Sequence, residues 1–241
     1  MSFTSLYQIF LYQPLFNALV FLYNVLWSDF GLAVIALTVF IKLALYPLMQ
    51  KALKSQKVME SLAPRVKELQ EKHKNDKQQQ GQALMSLYKE NNVNPAGGCL
   101  PILIQLPILI AMYRVFLTVL DPTKLENVYS FIYKPIQINP FFLGVMDLSR
   151  SNMYLAVLTG IIQLVYSKIA QPKKTPSMAS GGDKTMDFTK AIGMQMTYVF
   201  PVFTVFILLK LPAGLGLYWA TMTLFSIFEQ LYIKKKYKKN D

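Results

Sequence analysis

One cysteine and one histidine are all that this chain offers as soft or imidazole ligands, and their scarcity excludes much. Cys99 lacks a second cysteine for an internal disulfide, and with His73 it falls short of a zinc-binding cluster. The run Ala96-Gly97-Gly98-Cys99 has the look of a lipoprotein cleavage box, but it stands mid-chain and reads as the small-residue start of a helix. His73 lies among lysines and glutamines and reads as a solvated surface residue. Glycine-rich phosphate loops, metal-ligand clusters and nucleophile motifs are all missing, so the sequence predicts neither an enzyme nor a cofactor. Charge is sparse at 16% of residues, and the acids are few, 13 against 25 Lys and Arg.

What the chain has instead is apolar length. Of its 241 residues 53% are hydrophobic, and several runs approach the length that spans a bilayer. A membrane β-barrel would alternate over segments of about ten residues rather than show solid apolar runs. The expected class is therefore all-α, a polytopic membrane protein with five spans, a cytosolic helical hairpin and an N-terminal interfacial helix.

The run 31–50, GLAVIALTVFIKLALYPLMQ, carries Lys42 inside it. At ~1.5 Å per residue Lys42 lies roughly 16 Å from one end and 12 Å from the other. A lysine that deep costs roughly 2.5 to 3.5 kcal/mol or more unless it faces protein or water, so Lys42 is a candidate site residue. The competing reading is snorkelling, with the methylenes carrying the ammonium to the nearer interface.

Residues 1–30 hold no Lys or Arg, and Gln13, Pro14, Asn17 and Asn24 interrupt their apolar part. Leu15, Leu19 and Leu22 fall at helical spacing, which predicts an interfacial, extracytosolic helix rather than a clean span or a signal peptide. Residues 31–50 form the first span. Residues 51–97 predict a cytosolic hairpin of two amphipathic helices, one bearing Leu62, Val66 and Leu69, the other Leu84, Leu87 and Tyr88 after a polar turn around Gln78 to Gly81. The second span is 98–120, with Pro101, Gln105 and Pro107, and Arg114 near its far interface. An aromatic outer loop, 121–151, precedes the third span, 152–170. A Pro-, Ser-, Gly- and Lys-rich inner loop, 171–190, precedes the fourth span, 191–211, and the fifth, 213–233. The turn Leu211-Pro212-Ala213-Gly214 makes the last two an antiparallel hairpin, and 234–241 is a basic cytosolic tail.

The net charge of +12 would suit nucleic acid, but the placement of the basic residues decides otherwise. Nine Lys or Arg lie in 51–90, five in 168–190 and five in the tail, all on loops assigned to one side. The positive-inside rule then places the N-terminus outside and the C-terminus in the cytosol. This basic surface is expected to meet anionic lipid or ribosomal RNA, not DNA.

Polar residues gather at one depth. Counted from the cytosolic ends at ~1.5 Å per residue, Lys42, Gln105, Gln163, Gln195 and Glu229 all fall roughly 5 to 12 Å into the membrane. They come from five different spans, and Glu229 is the acid best placed to compensate Lys42. The pattern suggests a hydrated cavity open to the cytosol and closed outward; the simpler reading is scattered interhelical hydrogen bonding. A cavity closed on one side would let a polar segment of another polypeptide enter the membrane halfway while its apolar segment moves out to lipid.

Three stretches carry a family resemblance: Thr38 to Pro47, TVFIKLALYP; Leu87 to Pro107, LYKENNVNPAGGCLPILIQLP; and Phe200 to Tyr218, FPVFTVFILLKLPAGLGLY. In these the chain resembles the YidC membrane protein insertases, from about Gln13 to Tyr232. The resemblance implies a five-helix core with a positively charged hydrophilic groove, a cytosolic hairpin, and insertion of nascent membrane proteins alone or with the Sec translocon. The family's groove arginine falls on Lys42, which keeps the charge but loses the planar five-donor fork. Substrate contacts of the first and last helices carry over to Thr38, Tyr218 and Trp219. The large extracytosolic domain of some bacterial relatives and the lipoprotein signal of many Gram-positive ones are not seen in this sequence.

The expected partners are nascent membrane proteins, with the ribosome, the signal recognition particle receptor, the Sec translocon and anionic lipids beside them. Two other functions fit the residues less well. A secondary transporter would use Lys42 and Glu229 as its site and usually shows internal repeats, which are not found. An assembly factor would chaperone partner helices without inserting them.

Overall fold

The structure, a computed structural model, describes residues 3–94, 100–170 and 195–238. The expected inner loop 171–190, the small-residue run 95–99 and the last three residues lie outside them. The described residues are overwhelmingly helical, in several apolar helices, which makes the protein a polytopic all-α membrane protein. The chain divides into two compact units. One comprises residues 1–45, 103–163 and 202–226; the other comprises 46–102, 164–201 and 227–241.

In the first unit, α1 (Phe3–Tyr7) passes through a π-helical turn (Gln8–Tyr12) into α2 (Gln13–Val25). Pro14 sits at the start of α2, where its missing N–H costs nothing. The buried stripe of α2 is Phe16, Leu19, Val20 and Tyr23, one helical face. Leu15 and Leu22, expected to lead it, pack partly buried against the same core. The asparagines that break this apolar run have structural uses. Asn17 donates to the Gln13 carbonyl at 2.9 Å and accepts from the Tyr129 amide at 2.7 Å, while Asn24 donates to the Tyr133 carbonyl at 2.7 Å. They fasten the aromatic loop to α2. By length and composition Ser5–Val25 is also long and apolar enough to cross a membrane, as are Phe30–Ser61 and Met153–Ala170, and Leu103–Val119 and Thr197–Leu208 are shorter apolar helices.

The long helix α3 (Phe30–Ser61) begins in this unit and continues past Pro47 into the second. Its start is fixed by Asp29, whose Oδ1 accepts from the Leu32 amide at 2.8 Å while Oδ2 accepts from the Leu143 amide at 2.6 Å. Leu143 belongs to a small antiparallel hairpin, β1 (Phe141–Phe142) paired with β2 (Met146–Asp147), with Leu143 and Gly144 at positive φ in its turn. Preceding it are α6 (Leu100–Val119) and a 3-10 turn (Pro122–Asn127). Following it are α7 (Met153–Ala170), a π-helical turn (Gln195–Val199), α8 (Phe200–Leu208) and α9 (Ala213–Lys238). The α8–α9 connection is pinned from outside: the Ala213 amide donates to the Arg150 carbonyl at 2.8 Å and the Gly214 amide to Leu148 at 3.0 Å. Phe30, Leu37, Met112, Phe116, Leu148 and Tyr218 are among the side chains that fill the core of this unit.

The second unit contains the hairpin of α4 (Ala63–Lys72) and α5 (Lys77–Glu90). Leu62, Val66, Leu84, Leu87 and Tyr88 form its buried core, with Leu69 packed against it, as the spacing predicts. Burial pushes the Tyr88 phenol above its ordinary pKa. The turn, however, lies at 73–76 and not around Gln78 to Gly81. Asp76 decides this, since its carboxylate accepts from the amides of Gln78 and Gln79, both at 3.0 Å, and starts the helix there. Gly81 then falls inside α5, at a cost that the cap and the buried Gln80, whose amide reaches the Gln70 carbonyl at 2.8 Å, offset. The terminal carbonyls of α7 are also satisfied in this unit. Gln56 donates to Ala170 at 3.2 Å, and the Lys234 ammonium donates to Ile169.

Candidate functional site

Four helices of the first unit bring polar side chains together. From α3 come Thr38 and Lys42, from α6 Gln105, from α7 Thr159 and Gln163, and from α9 Tyr218, Trp219, Thr223 and Ser226. On α9 the residues Trp219, Thr223 and Ser226 are spaced by four and three, so they share one face of an otherwise apolar helix.

Lys42 is buried, only 7% exposed. Its ammonium donates to Ser226 Oγ at 2.9 Å and stands 5.4 Å from the centroid of the Phe225 ring. The Ser226 hydroxyl spends its own proton on the Met222 carbonyl at 3.0 Å, which leaves its oxygen free to accept from the lysine. A charge-assisted hydrogen bond and an aromatic face each recover part of the ion's lost hydration.

Gln163 is the second junction. Its Oε1 accepts from Trp219 Nε1 at 3.3 Å and lies 3.3 Å from Thr223 Oγ1. The single Thr223 proton has a closer acceptor in the Trp219 carbonyl at 2.8 Å, so the indole is the steadier donor to Gln163. Thr159, fully buried, donates to the Leu155 carbonyl at 2.7 Å, with the Gly216 carbonyl at 3.4 Å. Gln105 donates to the Tyr218 hydroxyl at 2.7 Å, across 113 residues of sequence.

Of the residues predicted from sequence, Lys42, Gln105, Gln163, Tyr218 and Trp219 thus enter hydrogen-bonded pairs in one unit. Thr38 is in the same unit but turned inward, 1% exposed, its hydroxyl donating to the Val34 carbonyl one turn back at 2.6 Å. Gln195 and Glu229 belong to the second unit, Gln195 at the first position of the π-helical turn and Glu229 buried beside Tyr166. Sequence reasoning missed Ser226, Thr223, Phe225 and Thr159. The spacing of Trp219, Thr223 and Ser226 was the available signal, masked because Ser and Thr in an apolar helix also bond their own backbone, as Thr221 and Thr223 do.

Chemically the arrangement is a buried cation beside the middle of α9, with amide and indole groups toward the N-terminal end of that helix. It offers a positive charge and exchangeable hydrogen-bond donors. Among the described residues no group of three His, Cys, Asp or Glu is placed to hold a metal ion.

The sequence pattern of the 60Kd inner membrane protein family matches residues 21–240. A curated relative, "Membrane protein insertase YidC" from Syntrophus aciditrophicus, is 37% identical over 224 residues, covering 93% of this chain and 36% of its own length. The protein of the same name from Geobacter sulfurreducens is 34% identical, covering 92% of this chain and 37% of the relative. A crystal structure of an active YidC insertase with the first transmembrane domain resolved superposes with a TM-score of 0.60 at 31% identity, covering 92% of this chain and 46% of that one. The chain spans little more than a third of the length of these curated relatives.

Proposed function

Because this chain belongs to the YidC, or 60Kd inner membrane protein, family, we propose that it is a membrane protein insertase working through a hydrophilic groove that Lys42 charges. The observation that carries the reading is the buried Lys42 ammonium, held by Ser226 and Phe225 near the polar pairs Gln105–Tyr218 and Gln163–Trp219. A nascent chain has to bring polar or acidic residues into hydrocarbon, where a charged one costs roughly 2.5 to 3.5 kcal/mol near a helix centre. A cation and a set of amide donors lower that cost for a short polar tail, while the apolar segment leaves toward lipid beside α3 and α9. The cost is reduced rather than coupled to a fuel.

The chain is read as multi-pass in a bacterial inner membrane, with the N-terminus outside and the basic tail in the cytosol. The basic 51–90 segment, where the α4–α5 hairpin lies, faces the ribosome, the signal recognition particle receptor and anionic lipid, and the Sec translocon is a further partner. Thr38 is assigned to the groove on the family resemblance.

The test is insertion of a short single-span protein into liposomes holding the purified chain, scored by protease protection. Wild type and Lys42→Arg are expected to insert, and Lys42→Ala to fail. If all three insert, the role given to Lys42 is wrong. If none does while a known insertase works in the same vesicles, the insertase reading itself fails.

A further inference from the structure

The first unit also holds a pocket of about 400 Å³ that the groove reading does not use. It opens between the N-terminal helices and the end of α6, and Tyr7, Gln13, Arg114, Leu117, Lys124 and Asn127 are among its lining residues. Two cations line it without an acid among the lining residues, although Lys124 also reaches the neighbouring Asp121 at 3.4 Å, on the exposed side. Arg114 stands over the Tyr7 ring at 5.4 Å and makes no ion pair among the described residues. The Tyr7 hydroxyl is shut from solvent and finds no hydrogen-bond partner among the described residues. A buried hydroxyl left so is destabilising, and an acceptor in the pocket would relieve that.

We propose that this pocket binds the phosphate of an anionic phospholipid. A guanidinium takes a phosphate through two parallel hydrogen bonds, the Lys124 ammonium adds a point charge, and the Tyr7 hydroxyl has a proton to give. The surface below the pocket favours a lipid over a free anion. Along α6 the exposed side chains Leu103, Leu106, Ile110 and Leu117 follow a spacing of three, four and seven, a single apolar stripe that leads to Arg114. From Arg114 back to Leu103 is roughly 16 Å at 1.5 Å per residue, close to half of a ~30 Å hydrocarbon core. A headgroup held at Arg114 therefore lays an acyl chain along that stripe within one leaflet. The site uses none of the residues of the basic 51–90 segment and binds one lipid by geometry rather than a surface by net charge.

Native mass spectrometry of the purified full chain in neutral detergent tests this, with phosphatidylglycerol and phosphatidylcholine as probes. The expected result is one retained phosphatidylglycerol, preferred by about tenfold or more, the size that two cations give near anionic lipid. Arg114→Gln combined with Lys124→Gln is expected to abolish the preference, and Tyr7→Phe to cut it several-fold. Lys134→Gln combined with Arg150→Gln removes the same amount of charge from the 121–151 loop outside the pocket and is expected to change nothing. A thermal midpoint close to wild type certifies that each variant folds; if the pocket pair does not fold, Lys124→Gln alone with Tyr7→Phe carries the comparison. The proposal is overturned if the pocket variants keep the preference, if the control pair loses it equally, or if inorganic phosphate displaces the lipid and binds as well.

Discussion

The ring of Phe142 lies against Gly31, so close that a Cβ on Gly31 would stand 2.1 Å from Phe142 Cδ2 and 2.6 Å from Phe142 Cβ. The first turn of α3 and the small β-hairpin therefore touch through a backbone that no other residue can supply. The short distance to Phe142 Cβ means that rotating the ring does not relieve the clash; the hairpin itself has to move. Gly31→Ala is expected to lower stability by about 1 to 3 kcal/mol. Thermal unfolding in detergent measures it. Gly31→Ala combined with Phe142→Ala is expected to cost less than the sum of the two single changes, because the alanine methyl occupies space that the ring vacates.

Asp29, two residues earlier, ties the same two elements by hydrogen bonds. Its two oxygens serve the Leu32 amide and the Leu143 amide separately. Asp29→Ala is expected to cost about 1 to 2 kcal/mol through the lost helix cap. Amide hydrogen exchange gives the sharper readout, since both the Leu32 and the Leu143 amides should lose protection while the Asn17-bound Tyr129 amide keeps it. Loss at Leu32 alone would mean that the hairpin is held by Phe142 and not by the carboxylate.

How much of this was legible in the sequence depends on the range of the interaction. Lys42 announced itself because a charge inside an apolar run needs no partner to be conspicuous, and the core of the α4–α5 hairpin followed from the spacing of Leu62, Val66, Leu84 and Leu87. The hairpin's turn lies before the polar stretch Gln78 to Gly81 because Asp76 accepts from two amides and starts α5 there, which outweighs the weak helix preference of Gly81. The pairs Gln105–Tyr218, Gln163–Trp219 and Lys42–Ser226 join residues between 56 and 184 positions apart. Periodicity ranks faces of helices; it does not say which faces meet. The asparagines of α2 illustrate the same limit, since they read as interruptions of an apolar run and turn out to hold a loop more than a hundred residues away.

Trp219 reports on its own environment. With Trp27→Phe it becomes the only tryptophan of the chain. Replacing Gln163 by Leu in that background removes the acceptor of the indole N–H. The emission maximum is expected to move to shorter wavelength, while Thr223→Val, which leaves Gln163 in place, is expected to move it little. An unchanged spectrum in Gln163→Leu would mean that the 3.3 Å contact is incidental.

Asp147 sets an acid limb for the loop. The Ser149 hydroxyl donates to its carboxylate at 2.6 Å and the Ser149 amide at 2.9 Å, and with the charge of Arg150 these hold its pKa below the ordinary carboxylate value. A lowered folded pKa stabilises the folded loop above the unfolded value of about 4, and that contribution fades as pH falls through the lower folded value. Protection of the Ser149 amide is expected to decline in this acid window. In Asp147→Asn the decline should vanish, because the neutral carboxamide still accepts the amide but no longer titrates.

The Gln105–Tyr218 pair separates a structural role from a functional one. Tyr218 is 1% exposed and Gln105 is partly buried, so removing either polar group alone strands the other. Tyr218→Phe and Gln105→Leu are each expected to cost about 1 to 3 kcal/mol, and the double variant less than either single one, because removing both polar groups leaves neither stranded. That cycle describes the pair as packing. If the pair also belongs to a groove that carries polar segments, the double variant should fold like wild type and yet insert a substrate with a polar tail poorly, while a purely apolar span inserts as before. Comparing thermal unfolding with protease-protected insertion for the two substrates distinguishes these cases. Equal insertion of both by a stable double variant would confine Gln105 and Tyr218 to holding α6 against α9.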